Sequence, residues 1–192
     1  MRIINAKFIK SASKKAEFIE DELPQVAIVG RSNVGKSSLI NLLTNNSKMA
    51  KTSGTPGRTR LVNYFNINNE FYFVDLPGYG YHKASKSIAN AWDAVMNDYF
   101  VENVKLKLVL VLLDSRLMPT DLDKQMFDYL AENEIPSAVI LTKTDKISRS
   151  ELNNAINKIS KDIRFNKDLI IPTSASKKIG VDAVAKIIEE RI

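Results

Sequence analysis

One string, Gly30-Arg31-Ser32-Asn33-Val34-Gly35-Lys36-Ser37-Ser38, narrows the folds open to this chain more than any other feature. It reads G-x-x-x-x-G-K-S. An apolar run, Val26 to Val29, precedes it, and Leu39, Ile40, Leu42 and Leu43 follow at helical spacing. Strand, glycine-containing loop and helix in that order aim successive backbone N–H groups and the positive end of a helix at one anion. Glycines take backbone shapes that a Cβ resists. Lys36 is expected to reach the β- and γ-phosphates of a nucleoside triphosphate, and Ser37 to ligate Mg²⁺. An ordinary turn ahead of a helix is the plainer reading; the two flanks argue against it.

The rest of the chain alternates strand and helix, which predicts an α/β fold with a mostly parallel sheet and helices on both faces. Lys107 to Leu113 is a near-continuous apolar run, as a strand covered on both faces requires, and Ala138 to Leu141 and Leu169 to Ile171 read the same way. Leu61 to Ile67 and Glu70 to Val74 form a predicted hairpin around Asn68-Asn69, the one expected antiparallel pair. Helices are expected near 36–46, 87–101, 120–132, 148–162 and 180–191. Thr120 and Ser148 read as N-caps, with Asp123 and Glu151 three residues on. Ile88, Trp92, Val95 and Tyr99 share a helical face, so Trp92 is expected in the core.

With 192 residues, 44% apolar and 26% charged, the chain fits one globular domain. It has no cysteine, which excludes disulfides and thiolate metal sites and suits a cytoplasmic location. The first ten residues are broken by charges and lack the apolar core of a signal peptide. No apolar stretch approaches the ~20 residues of a membrane span, so no membrane partner is expected. The net charge is +6, and no Asp or Glu occurs from Leu23 to Asn69, where Arg31, Lys36, Lys48, Lys51, Arg58 and Arg60 lie. Such a surface suits a polyanionic nucleotide, and equally a second polyanion such as RNA.

Four further segments fall where a nucleotide switch needs them. Asp75-Leu76-Pro77-Gly78 ends a predicted strand; its carboxylate can hold Mg²⁺ through water, and Gly78 leaves an N–H free to approach a γ-phosphate. Thr142-Lys143-Thr144-Asp145 follows another strand. Asp145 can accept both N–H groups of a guanine edge, a donor pair that adenine lacks, and the stem of Lys143 can lie along the base. Thr173-Ser174-Ala175 offers small residues near the guanine O6. Thr52 to Arg60 is a basic, hydroxyl-rich loop from which a threonine can complete a Mg²⁺ shell while a γ-phosphate is present. Each of these four patterns is weak alone; their order makes the argument.

The strings Gly-Arg-Ser-Asn-Val-Gly-Lys-Ser-Ser at 30–38, Thr-Pro-Gly-Arg-Thr at 55–59 and Asp-Leu-Pro-Gly-Tyr-Gly-Tyr at 75–81 resemble the small bacterial GTPases called EngB, YihA or YsxC, in the Era-like branch of the TRAFAC class. The resemblance runs over essentially the whole chain, with residues 1–22 as a family-typical N-terminal extension. It implies a Ras-like fold with a six-stranded sheet containing one antiparallel strand. It also implies GTP and GDP binding, slow hydrolysis, a role in large ribosomal subunit assembly, and a link to cell division and septation; a monomer that binds ribosomal RNA or a subunit precursor is expected. The matched switch threonine is Thr59, so Ser37, Thr59 and, through water, Asp75 would hold Mg²⁺. Gly57, Arg58, Thr59, Arg60 and Leu61 would line the nucleotide, and Lys36, Thr59 and Gly78 would bear on the chemistry.

Tyr79 stands where Ras-type enzymes place the glutamine that orients the attacking water. The expected consequence is slow unaided hydrolysis, with a partner supplying the missing group. In related Era-like GTPases an asparagine at the position of Asn33 helps to bind K⁺, which opens K⁺ as a further cofactor; Arg58 is a second candidate for offsetting charge. His82 is expected to be a solvent-facing switch residue and not a general base, since a loose phosphoryl transition state needs little base catalysis. A metabolic phosphotransferase and a non-catalytic, nucleotide-dependent RNA-binding module are the competing readings.

Overall fold

Strand β1 (Ala6–Ala12), strand β2 (Gln25–Gly30) and helix α1 (Lys36–Leu43) open the chain. Strands β3 (Val62–Ile67), β4 (Phe71–Asp75) and β5 (Leu106–Asp114) follow, then helix α2 (Asp121–Glu132), strand β6 (Ser137–Thr142), helix α3 (Arg149–Asp162), strand β7 (Ile170–Pro172) and helix α4 (Val181–Glu189). The structure is a computed structural model that describes residues 1–51, 61–79, 95–100 and 103–192. Residues 95–100 are helical; Ile88 and Trp92, expected on the same helix, lie outside the described residues.

Among the described residues the strands form one sheet of order β1-β3-β4-β2-β5-β6-β7. β2 pairs in parallel with both β4 and β5, and β6 and β7 continue the parallel run. β3 is antiparallel to both β1 and β4, so it alone runs against the rest. The sheet therefore has seven strands and not six, and two antiparallel pairs and not one. The extra strand, β1, comes from the segment read as an extension. A bulge between Phe8 and Lys10 breaks the period of two, and only one neighbour covers the strand, so its sequence carries no clean alternation.

The hairpin at Asn68-Asn69 forms as expected, because both asparagines take left-handed backbone angles, φ 53° and 59°. Asn68 also ties down the N-terminus. Its Oδ1 accepts from the N–H groups of Ile4 and Asn5, and its Nδ2 donates to the carbonyl of Arg2. Both expected capping boxes are present, Thr120 with Asp123 and Ser148 with Glu151. α1 ends at Leu43, short of the expected Asn46, as Asn45 turns to φ 47°.

Strand alternation splits the core in two. Leu108, Leu110 and Leu112 of β5 join Val26, Ile28, Phe71 and Phe73 under α1 and α4. Val109, Val111 and Leu113 face the other way, with Val29, Val74, Tyr99, Met126 and Ile159 under α2, α3 and residues 95–100. One strand so anchors both layers. Leu110 is fully buried at the centre. Leu110→Ala is expected to lower the unfolding free energy by about 2–5 kcal/mol, read as a lower urea midpoint with an unchanged slope.

Candidate nucleotide-binding site

The central strand β2 has β4 on one side and β5 on the other, so its C-terminal end opens the crevice where ligands bind in such sheets. The Gly30–Lys36 loop leaves from that end. Gly35, at φ 118°, is a conformation that side chains resist, and it places Lys36 as the first residue of α1. The first turn of α1 holds no acidic residue, and its N–H groups have no intrahelical acceptor. Lys36, Ser37 and Ser38 are part-exposed there, Arg31 and Ser32 likewise, and Asn33 is exposed at φ 61°. Val34 is buried, so its side chain serves the core and only its backbone faces the loop.

The Asp75–Gly78 segment is bound to this loop. Tyr79 N–H donates to the Gly30 carbonyl at 3.3 Å, Ser32 N–H donates to the Tyr79 carbonyl at 3.2 Å, and Leu76 N–H donates to Ile28. A Cβ on Gly78 would come within 2.9 Å of Lys36 Nζ and 3.2 Å of Ser32 N, so the contact tolerates only glycine without a shift. Leu76 is fully buried and offers only backbone, while Pro77 is half-buried between it and Gly78.

Asp75, 4% exposed, ends β4, and its Oδ1 has no hydrogen-bond partner. Burial pushes its carboxyl pKa up, against the pull of Lys36 and a hydrogen bond with Asn63. An unpartnered, buried carboxylate oxygen is costly unless a cation or water engages it. With the Lys36 charge acting on it from the start of α1, it fits a divalent cation that keeps waters and takes only one or two protein ligands. Among the described residues no group of three or more acidic or histidine side chains could hold a metal unaided, so phosphate oxygens would complete such a site.

The opposite end is built from β6 and β7. Thr142 Oγ1 donates to the carbonyl of Val34 at 2.8 Å and lies 3.1 Å from that of Leu113. Lys143, at φ 61°, donates from Nζ to the Asn33 carbonyl at 3.1 Å and pairs with Asp114 at 2.9 Å. Thr144 donates from both N–H and Oγ1 to the Thr173 carbonyl. Ser174 Oγ donates to Asp145 Oδ1 at 2.6 Å, and Lys146 lies 3.4 Å from the other oxygen. The Ser174 hydrogen bond, helped by Ser176 and Lys146, holds the Asp145 carboxyl down to about 2. A cavity of about 190 Å³ runs between Gly35 and Ser38 of the loop and helix, Lys143 and Asp145, and Ala175, whose side chain is exposed.

The structure thus gathers the Gly30–Ser38, Asp75–Gly78, Thr142–Asp145 and Thr173–Ala175 residues at one sheet edge. Leu61 is exposed at the start of the β3 segment. Gly57, Arg58, Thr59, Arg60, Tyr81 and His82 lie outside the described residues. Sequence reasoning missed Asp114. Burial alone would raise its carboxyl, but hydrogen bonds from Arg116 and Lys143 outweigh that and hold it well below the usual range. Only its place at the end of the β5 run could have signalled it.

Asp145→Asn exchanges an acceptor oxygen for a donor. It is expected to weaken GDP and GTP binding about ten- to a hundredfold in calorimetric titration, with ATP ignored by both proteins. Because a lowered carboxylate pKa keeps the group ionised until the pH falls towards about 2, guanine affinity should not drop between pH 7 and 5 through Asp145.

The family model described as 50S ribosome-binding GTPase matches residues 25–143. The "Probable GTP-binding protein EngB" of Clostridium acetobutylicum is 50% identical over 183 residues, covering 95% of this chain and 92% of its own. A crystal structure of "a probable GTP-binding protein engB" shares the fold, with TM-score 0.73 and 24% identity over 86% of this chain and 97% of that one. Era in complex with MgGDPNP and part of 16S ribosomal RNA aligns with TM-score 0.70 and 27% identity over 90% of this chain, which spans 57% of that protein. The loop at the end of β2 and these relatives agree: the chain belongs to the GTPase family that the matched model describes, and within it to the EngB group.

Proposed function

We propose that this chain is a cytoplasmic, monomeric GTP-driven switch that acts on the large ribosomal subunit during its assembly. The observation that carries this reading is the packing of Gly78 against Lys36 and the phosphate loop. A γ-phosphate arriving there meets Lys36, the N–H groups that start α1 and the Gly78 N–H, so its presence or loss is felt directly by the segment that follows β4. Lys36 and the backbone donors stabilise charge developing on the transferred group. Ser37, Thr59 and, through water, Asp75 would hold Mg²⁺, which when bound neutralises phosphate charge. Asp145, held ionised by Ser174, selects guanine.

The Tyr79 hydroxyl donates its proton to Asp123, so that proton is committed elsewhere than to an attacking water. That supports slow unaided hydrolysis, with a partner or a K⁺ beside Asn33 adding the missing stabilisation. The acid-free stretch from Leu23 to Asn69 supports a polyanionic partner, and the family description and the RNA-bound Era point the same way. Among the described residues no helix is long and apolar enough to cross a membrane.

Sedimentation with purified large-subunit particles at moderate salt tests the reading. Protein loaded with a non-hydrolysable GTP analogue is expected to pellet with the particles and GDP-loaded protein to stay in solution; equal behaviour would exclude a switch, since a ligand with equal affinity for two states shifts neither. Lys36→Ala is expected to lower the GTP hydrolysis rate at least about a hundredfold in a phosphate-release assay.

A further inference from the structure

Tyr79 directly follows Gly78 and is 5% exposed. Its hydroxyl donates to Oδ1 of Asp123 at 2.8 Å. The other oxygen of that carboxylate accepts from the N–H and the Oγ1 of Thr120, both at 2.7 Å. One carboxylate therefore caps α2 and holds the residue after the D-x-x-G turn.

Capping alone does not explain this arrangement. The capping box of α3 uses Glu151, which is exposed, whereas Asp123 is 1% exposed. Burying a carboxylate is costly unless several donors satisfy it, and here three do. Burial, together with the neighbouring Asp123 charge, pushes the Tyr79 pKa far up, so its hydroxyl stays a donor. The ring lines the wall of a groove between Met96 and Phe100 on one side and Leu122 and Met126 of α2 on the other. The tyrosine's backbone meanwhile pairs with Gly30 and Ser32 of the phosphate loop. Tyr79 thus joins the first turn of α2, through its hydroxyl, to the phosphate loop, through its backbone, and Gly78 is the residue directly before it.

We propose that Asp123 is a positioning residue for the triphosphate end of the site: through the Tyr79 hydroxyl it holds Gly78 against Lys36 and the phosphate loop. The D-x-x-G turn is then set by α2 as well as by the nucleotide, and force on α2 reaches the γ-phosphate position. This inference rests on the GTP-binding reading above.

The test compares dissociation constants for GDP and for a non-hydrolysable GTP analogue in wild type, Tyr79→Phe, Asp123→Asn and Thr120→Ala, with thermal midpoints for each. Tyr79→Phe removes one oxygen and leaves the cap. It is expected to raise the ratio of analogue to GDP dissociation constants about three- to tenfold, the scale of one hydrogen bond. Asp123→Asn is expected to move the ratio the same way. Thr120→Ala removes a donor from the other Asp123 oxygen and keeps the Tyr79 bond, so it should lower the thermal midpoint and leave the ratio within about twofold. An unmoved ratio in Tyr79→Phe and Asp123→Asn would overturn the inference, as would an equal shift in Thr120→Ala, which would reduce the bond to fold stability. A wild type that bound neither nucleotide would overturn the GTP reading and this one together; a wild type that bound both, with an unmoved ratio in the variants, would overturn this one alone.

Discussion

The outward carbonyls of the phosphate loop are the groups on which the site depends. Gly30 accepts from Tyr79, Asn33 from Lys143 and Val34 from Thr142. Each of these bonds contributes on the order of 1 kcal/mol net, but their direction matters more than their sum. With its carbonyls engaged from outside, the loop keeps the N–H groups at the start of α1 turned towards the space where an anion would lie. The loop is thus shaped by the segments at the ends of β4 and β6, the D-x-x-G and Thr142–Asp145 turns.

Sheet topology makes that convergence possible. β2 lies between β4 and β5, and all parallel strands end on the same edge. The loop after β2, the D-x-x-G turn after β4, the Thr142–Asp145 turn after β6 and the Thr173–Ala175 turn after β7 therefore meet without any long loop. Lys143 adds a crosswise tie, since it bonds both the loop and Asp114 at the end of β5.

Two carboxylates in the site have opposite surroundings. Asp75 is buried with one oxygen unpartnered, and burial raises its pKa. Asp145 is supplied with donors by Ser174 and Lys146, which hold its carboxyl down to about 2. The same side chain titrates differently at the two places because burial raises one carboxyl and hydrogen bonding lowers the other.

The amino-acid sequence alone determined what depends on neighbours along the chain. The phosphate loop from Gly30 to Ser38, the left-handed Asn68-Asn69 turn and the capping boxes at Thr120 and Ser148 are all settled within a few residues. The near-continuous apolar run of β5 likewise declares a strand covered on both faces. Strand β1 escaped because the bulge at Ile9 scrambles its alternation and its pairing partner is β3, over fifty residues away. The tertiary structure alone decided that Lys143 bonds Asn33, that Asp114 restrains Lys143, and that Tyr79 is held by Asp123, 44 residues further on. A hydrogen bond between distant residues leaves no spacing rule in the sequence. It exists only once strand order has brought the two ends together, and burial then makes the pairing obligatory, because a buried polar group left without a partner costs more than the bond itself contributes.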